Sequence, residues 1–230
     1  RPAPRKGHLE RLIRIFKFLR NYKKSYIKFD TEIPDYSAYE VEKADWAHIY
    51  NNTTEDIPTD APTPKGKPVL TTTFFDASLM FDAVTGRGCT GVLHMLNKTL
   101  VDWYSKRQNL AETSSFSVEM VSARTAVDQI IELRYILRML GVPLTGPSYA
   151  FGDNLSMIKT ATIPNYKLAK RHNIMNFHRV RQVQSADIVR FVHMNGVDNP
   201  ADILTKYRSC TQWFGKLKSL IFSRIKDNGE

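Results

Sequence analysis

From Pro68 onward three strand-length patterns follow one another before any helix, and this order restricts the folds open to the chain. Residues 68 to 76 ("PVLTTTFFD"), 89 to 96 ("CTGVLHML") and 99 to 105 ("TLVDWYS") are β-branched and aromatic, with Asn97-Lys98 as a tight turn between the last two. Connections this short join antiparallel neighbours. A helical pattern then runs from Ser115 to Leu140, with Val118, Val121, Val127, Ile130, Ile131, Leu133, Leu137 and Leu140 on its apolar side. Ser114 or Ser115 caps it, and Gly141 with Pro143 stops it. "SYAFGD" predicts a short buried strand ending at Asp153, and "NLSMIKT" a brief helix. A basic helix over 167 to 184, a strand over 186 to 193 and a last helix from Asn199-Pro200 complete the series. The order β-β-β-α-β-α-β-α predicts an α/β domain: a five-stranded mixed sheet with helices on both faces.

The run "TTTFFDAS" (71 to 78) delivers a carboxylate, Asp76, at the end of a core strand. A buried Asp is costly unless a lysine, an arginine or a metal neutralises it. Glu119 falls early in the long helix, Asp153 ends the fourth strand, and Asp202 stands in the first turn of the last helix. Element termini are where a mixed sheet collects ligands. Four acids meeting there would repel one another unless hard divalent cations, Mg2+ or Mn2+, held them. Two such ions about 3.5–4 Å apart serve in-line phosphodiester cleavage. Spacing alone leaves each of these acids open to the plainer reading of a surface charge.

The charge balance bears on partners. With 33 Lys and Arg against 23 Asp and Glu, the net charge is +10, which suits a polyanion, although basicity also serves solubility. Cys89 and Cys210 are too few for a disulfide framework, and no clustered Cys/His spacing suggests zinc; a reduced intracellular compartment is expected. No apolar run approaches a membrane span. Before the domain, residues 1 to 30 contain an amphipathic helical pattern ("HLERLIRIFKFLRNY"), and 31 to 67 form a Pro-rich, acidic linker or irregular wrap. After residues 68 to 208 comes a tail, 209 to 230, in which Trp213, Phe214, Leu217 and Leu220 suggest a closing helix.

Local motifs supply the specificity that spacing lacks. Asp76-Ala77-Ser78, Arg87, Gly91, "DWYSKRQ" (102 to 108) and "SSFSVEMVSA" (114 to 123) resemble, without a gap, a pattern of copia-type (Pseudoviridae) retrotransposon polyproteins. That pattern, in their ribonuclease H domain, runs Asp-Ala-Asp, Arg, Gly, "SWSSKKQ" and "SSTEAEYVA". "GDNLSMI" (152 to 158), "KRHNIMNFHRVRQ" (170 to 182) and "NPADILTK" (199 to 206) are similar to its later "CDNQSAI", "TKHIDIRYHFVRE" and "ADILTKP". The amphipathic stretch resembles the end of the family's reverse transcriptase. Together with an opening that lacks an initiator Met, this reads as a slice of a longer polyprotein.

The resemblance implies a ribonuclease H-like fold and a metal-dependent endonuclease that cuts the RNA strand of RNA–DNA hybrids during reverse transcription. Asp76, Glu119, Asp153 and Asp202 would be its catalytic, metal-binding acids, with two Mg2+ or Mn2+ ions, so that metal rather than lysine offsets Asp76. The implied partners are the hybrid and the reverse transcriptase portion of the same polyprotein, with no membrane, in a cytoplasmic virus-like particle. Ser78, Asn154, Lys106, Arg107, Lys170, Arg171, His172 and Arg179 are candidate hybrid contacts, with Lys167 and Arg181 in the same basic set. His193 is a possible auxiliary to product release or a core residue, His178 a packing or phosphate contact, and Trp103 a packed strand residue. Where the family has Glu, Tyr and Asp, this chain has Ser117, Met120 and Ser78; all three flank the proposed ligands. The competing readings are a non-catalytic connection-type domain that binds nucleic acid and scaffolds the polymerase, and a transposase or integrase.

Overall fold

The computed structural model describes residues 3, 5–23, 25–27, 29–39, 44–51, 53–168, 170–206 and 223–224. The tail helix expected around Trp213 to Leu220 lies outside the described residues. Helix α1 (Lys6–Asn21) buries none of its residues, and its Leu12, Phe16 and Leu19 are exposed. Strand β1 (Ser25–Tyr26) forms a two-residue antiparallel ribbon with β7 (Ser223–Arg224), and α2 (Ala47–Tyr50) is a single turn. The main sheet comprises β2 (Thr71–Asp82), β3 (Arg87–Leu96), β4 (Thr99–Arg107), β5 (Ser148–Gly152) and β6 (Val189–His193). Helices α3 (Ser115–Met139), α4 (Leu155–Thr162) and α5 (Ile174–Ser185) connect or follow its strands.

The strand order is β4-β3-β2-β5-β6, antiparallel across β4, β3 and β2 and parallel across β2, β5 and β6. This is the five-stranded mixed sheet expected of a ribonuclease H-like fold. β2 continues past Asp76 to Asp82, because the hairpin with β3 extends through an irregular register between Ser78 and Asp82. The last helical pattern closes as a 3-10 turn, Pro200–Leu204, with Asn199 as its cap. The basic helix likewise starts later than its pattern, at a 3-10 turn Arg171–Asn173 leading into α5.

Alternation along β2 separates two faces. Phe75 points to the helical side, where α3 packs Met120, Ala123, Ala126, Val127 and Ile130 against it, joined by Met157 and Ala161 of α4 and Val180 of α5. The alanines of α3 let the helix lie close on the sheet. Its buried face differs from the aliphatic count: Leu140 is 71% exposed, whereas Arg134 is 3% exposed. Arg134 tolerates burial because Glu55 accepts from both Nε and Nη2 at 2.7 Å, while Gly146 O and Ser148 Oγ accept from Nη1. Trp103, expected to pack, is 60% exposed, since β4 is the sheet's edge and its residues beyond Leu100 are mostly open to solvent.

On the opposite face Phe74, Leu93, Met95 and Leu100 gather with Leu204 of the 3-10 turn. Residues 29–39, 44–51 and 53–57 lie along this face and around the domain. Asp30 and Thr31 bond Thr99 and Asn97, Tyr36 and Tyr39 pack on Phe151, and Trp46 lies over Arg181. Glu55 then reaches Arg134 and Arg138 of α3.

Gly91, opposite Asp76 in the β2–β3 register, is the floor on which the 3-10 turn rests. A Cβ there would come within 2.7 Å of Thr205 Cγ2, 2.9 Å of Leu204 Cβ and 3.0 Å of Ala201 O. Substituting Gly91→Ala should therefore destabilise the protein by about 1–3 kcal/mol, the usual cost of over-packing. Denaturant unfolding checks it; stabilisation, as an unobstructed strand glycine would show, contradicts the packing described here.

Candidate active site

β2 and β5 run parallel with Phe74 beside Phe151, so two residues further on Asp76 and Asp153 come side by side. The start of α3 lies over the same point. Its N-cap Ser114 accepts from Ser117 N, and Gln108 Nε2 donates to Val118 O and Thr90 Oγ1, seating the helix end against β3. Glu119 Oε1 then accepts from Ala77 N at 3.2 Å, and Ser122 Oγ donates to the backbone oxygen of Asp76 at 2.9 Å. In the result, one carboxylate oxygen from each of Asp76, Glu119 and Asp153 lies within 4.8 Å of the others.

Asp202 reaches the site from the 3-10 turn, whose cap Asn199 is buried and donates from Nδ2 to Phe75 O at 2.9 Å. It joins Asp76 through cationic and hydroxyl partners: Thr205 Oγ1 bonds Asp76 Oδ2, and Lys206 Nζ stands 2.5 Å from Asp202 Oδ1 and 3.7 Å from Asp76 Oδ2. Beside the metal expected to offset Asp76, a lysine four residues after Asp202 also faces both acids. Asn199 was read only as the start of the last helix, and Thr205 and Lys206 were not singled out from the sequence. The Asp-x-x-x-Lys spacing inside "NPADILTK" was the available signal.

Burial pushes Asp76 up to about 6, with Asp153 and Asp202 adding to the rise and Thr205 and Lys206 opposing it. Glu119 is pushed well above the usual carboxylate range, first by burial and then by Asp76 and Asp153. Its Oε2 is buried without a hydrogen-bond partner among the described residues. Oxygen donors only, an orphaned carboxylate oxygen and mutual repulsion fit a hard divalent cation. Asp76, Glu119 and Asp153 are the residues that would hold it.

The other predicted residues fall into separate places. Ser78 lies two residues beyond Asp76, half-buried, and Asn154 caps α4 by accepting from Met157 N. Lys106 and Arg107 are exposed on edge strand β4, with Arg107 paired to Asp82. Lys170, Arg171 and His172 flank the start of α3, where Lys170 approaches Thr113, His172 meets Glu112, and Asn173 bonds Ser117. Ser117 is fully buried there, which leaves no room for the family's Glu. Lys167 is exposed. Arg179 pairs with Asp128, more than two turns along α3 from Glu119 and on the helical side. Arg181 is not a surface clamp: it is 2% exposed, sandwiched between Trp46 and Phe177, and donates to three backbone carbonyls. His193 Nε2 stands 3.1 Å from Asp153 O, and His178 Nδ1 2.7 Å from Tyr50 OH. Gly196 approaches Asp153 so closely that a Cβ would lie 2.7 Å from its Oδ2.

No protein-family model matches the chain. The retrovirus-related Pol polyprotein from transposon RE1 of Arabidopsis thaliana is 26% identical over 147 residues, 64% of this chain and 10% of the polyprotein. A Pol polyprotein from a Nicotiana tabacum transposon is 25% identical over 134 residues, 58% of this chain and again 10% of its own length. This chain is similar in sequence to transposon Pol polyproteins. The resemblance read from the ordered motifs stands on that similarity, and the chain spans about a tenth of the relatives it matches. Among solved structures, RNase H1 from Halobacterium salinarum matches 60% of this chain and 95% of its own, at 14% identity and a TM-score of 0.46. The fold assignment is carried by strand order and polarity.

A raised carboxylate has a defined consequence for stability. The folded value of Asp76, about 6, exceeds the usual 3.8, so as pH rises the unfolded chain releases this proton first. The metal-free fold loses stability across that window and carries the full penalty above it. Asp76→Asn removes the ionisation, and the metal-free variant should exceed wild type at pH 8 by on the order of 2–3 kcal/mol. The difference should vanish near pH 4; paired denaturant titrations at the two pH values measure it.

Proposed function

We propose that this domain is a metal-dependent ribonuclease H that cuts the RNA strand of RNA–DNA hybrids during retrotransposon reverse transcription. The observation carrying the proposal is the convergence of Asp76, Glu119 and Asp153 from three elements onto one buried point, in a chain similar to transposon Pol polyproteins. Scaffolding gives no reason to bury repelling carboxylates, whereas phosphodiester hydrolysis uses them.

Bound divalent ions would supply a hydroxide nucleophile at neutral pH and charge stabilisation at the leaving oxygen. The chain's own groups would do the rest. Asp76 is held by Ser122 at its backbone and Thr205 at its carboxylate, so its direction is set before any ligand arrives. Gly196, lacking a side chain, leaves the Asp153 carboxylate the space that a Cβ there would take. Lys106, Arg171 and Lys170 carry charge that would meet phosphates without reading bases, which makes binding fall with salt. Such cleavage leaves 3′-hydroxyl and 5′-phosphate ends.

The test is incubation of the chain with an end-labelled RNA–DNA hybrid in Mg2+ or Mn2+, beside an Asp153→Asn control. Wild type should cut the RNA strand only. The control should lose more than the ~10–100-fold typical of a residue that merely supports a metal ligand. Hybrid binding without cleavage by wild type in either metal would identify the connection-type scaffold instead.

A further inference from the structure

The acidic nest has two sides that are furnished differently. On one side Asp76, Glu119 and Asp153 present oxygens within 4.8 Å of one another, and Glu119 Oε2 is buried with no hydrogen-bond partner among the described residues. On the other, Asp76 looks toward Asp202, and Lys206 Nζ stands between them, 2.5 Å from Asp202 Oδ1 and 3.7 Å from Asp76 Oδ2. The two carboxylates are 1% and 2% exposed at their side chains, and Lys206 is 41% exposed. The lysine is aimed by its surroundings. Thr205, next to it, is fully buried and bonded to Asp76, and the Pro200–Leu204 turn is fastened to β2 by Asn199.

We infer that Lys206 is a resident counter-cation of the Asp76–Asp202 side, which a divalent ion must displace to bind there. The inference rests on reading the nest as a divalent-cation site and says how that site fills. A first ion enters on the Glu119–Asp153 side, where among the described residues no lysine forms an ion pair. A second must push the ammonium out into solvent, since two cations cannot share the same carboxylate oxygens without repulsion. The flexible lysine stem permits that exit, and its partial exposure gives the charge somewhere to go. Metal-free protein therefore keeps Asp202 neutralised, and metal loading becomes stepwise.

Titration of the full chain with Mn2+ alone, without nucleic acid, tests this by calorimetry and by the EPR signal of free Mn2+. Wild type should bind one ion tightly and a second more weakly. Lys206→Gln should tighten the second ion by about 3–10-fold, the scale of a half-exposed ion pair, and leave the first nearly unchanged. Lys206→Arg, which keeps a cation, should follow wild type. The glutamine variant should also lose thermal stability when metal-free and recover it in Mn2+, which a lysine serving only to pack the turn would not show. Equal binding of the second ion by wild type and Lys206→Gln overturns the role of Lys206 while leaving the metal site intact. Failure of both proteins to bind Mn2+ overturns the metal site itself, and this inference with it.

Discussion

Bringing three carboxylates to one point, two of them buried, is the constraint around which the remainder of this fold is organised. Asp76, Glu119 and Asp153 repel one another, and burial strips water from the first two, so their position holds only because stronger packing elsewhere imposes it. That packing is the helical side of the sheet, where Phe75 is wholly enclosed by α3, α4 and α5. Phe75 and Asp76 are neighbours facing opposite ways, and anchoring one directs the other. Parallel pairing of β2 with β5 then aligns Asp153, and the seat that Gln108 and Ser122 give α3 aligns Glu119.

The second layer of control is local and polar. Backbone and hydroxyl donors fix the acids one by one: Ala77 for Glu119, Ser122 and Thr205 for Asp76, and a lysine for Asp202. The arrangement is electrostatically tense, since burial and mutual repulsion push the carboxyls of Asp76 and Glu119 above their usual range. Tension of this kind is what a site for a doubly charged ligand requires, because the ligand then gains by relieving it.

Much of this was legible in the chain. Period-two runs identified the strands, the Ser114 cap and Gly141 bracketed the long helix, and motif order placed the acids. What escaped had tertiary causes. Arg134 carried no signal in the sequence and Arg181 read as a hybrid contact, yet both are buried because partners distant in sequence, Glu55 and the carbonyls of Thr160, Ile163 and Pro164, satisfy them. Trp103 read as packed because strand propensity says nothing about which strand is an edge. Lys206 was overlooked because its neighbour Asp202 was assigned a metal, and sequence alone does not say which of two cations comes first.

The described residues between 29 and 57 bear on how the buried arginines are satisfied. They supply the carboxylate that neutralises Arg134 and the indole that covers Arg181. A polypeptide trimmed to Pro68 would leave one internal guanidinium without its carboxylate and open the face of another to water. The contacts that settle these two arginines therefore reach upstream of the first strand of the main sheet, to Trp46 and Glu55.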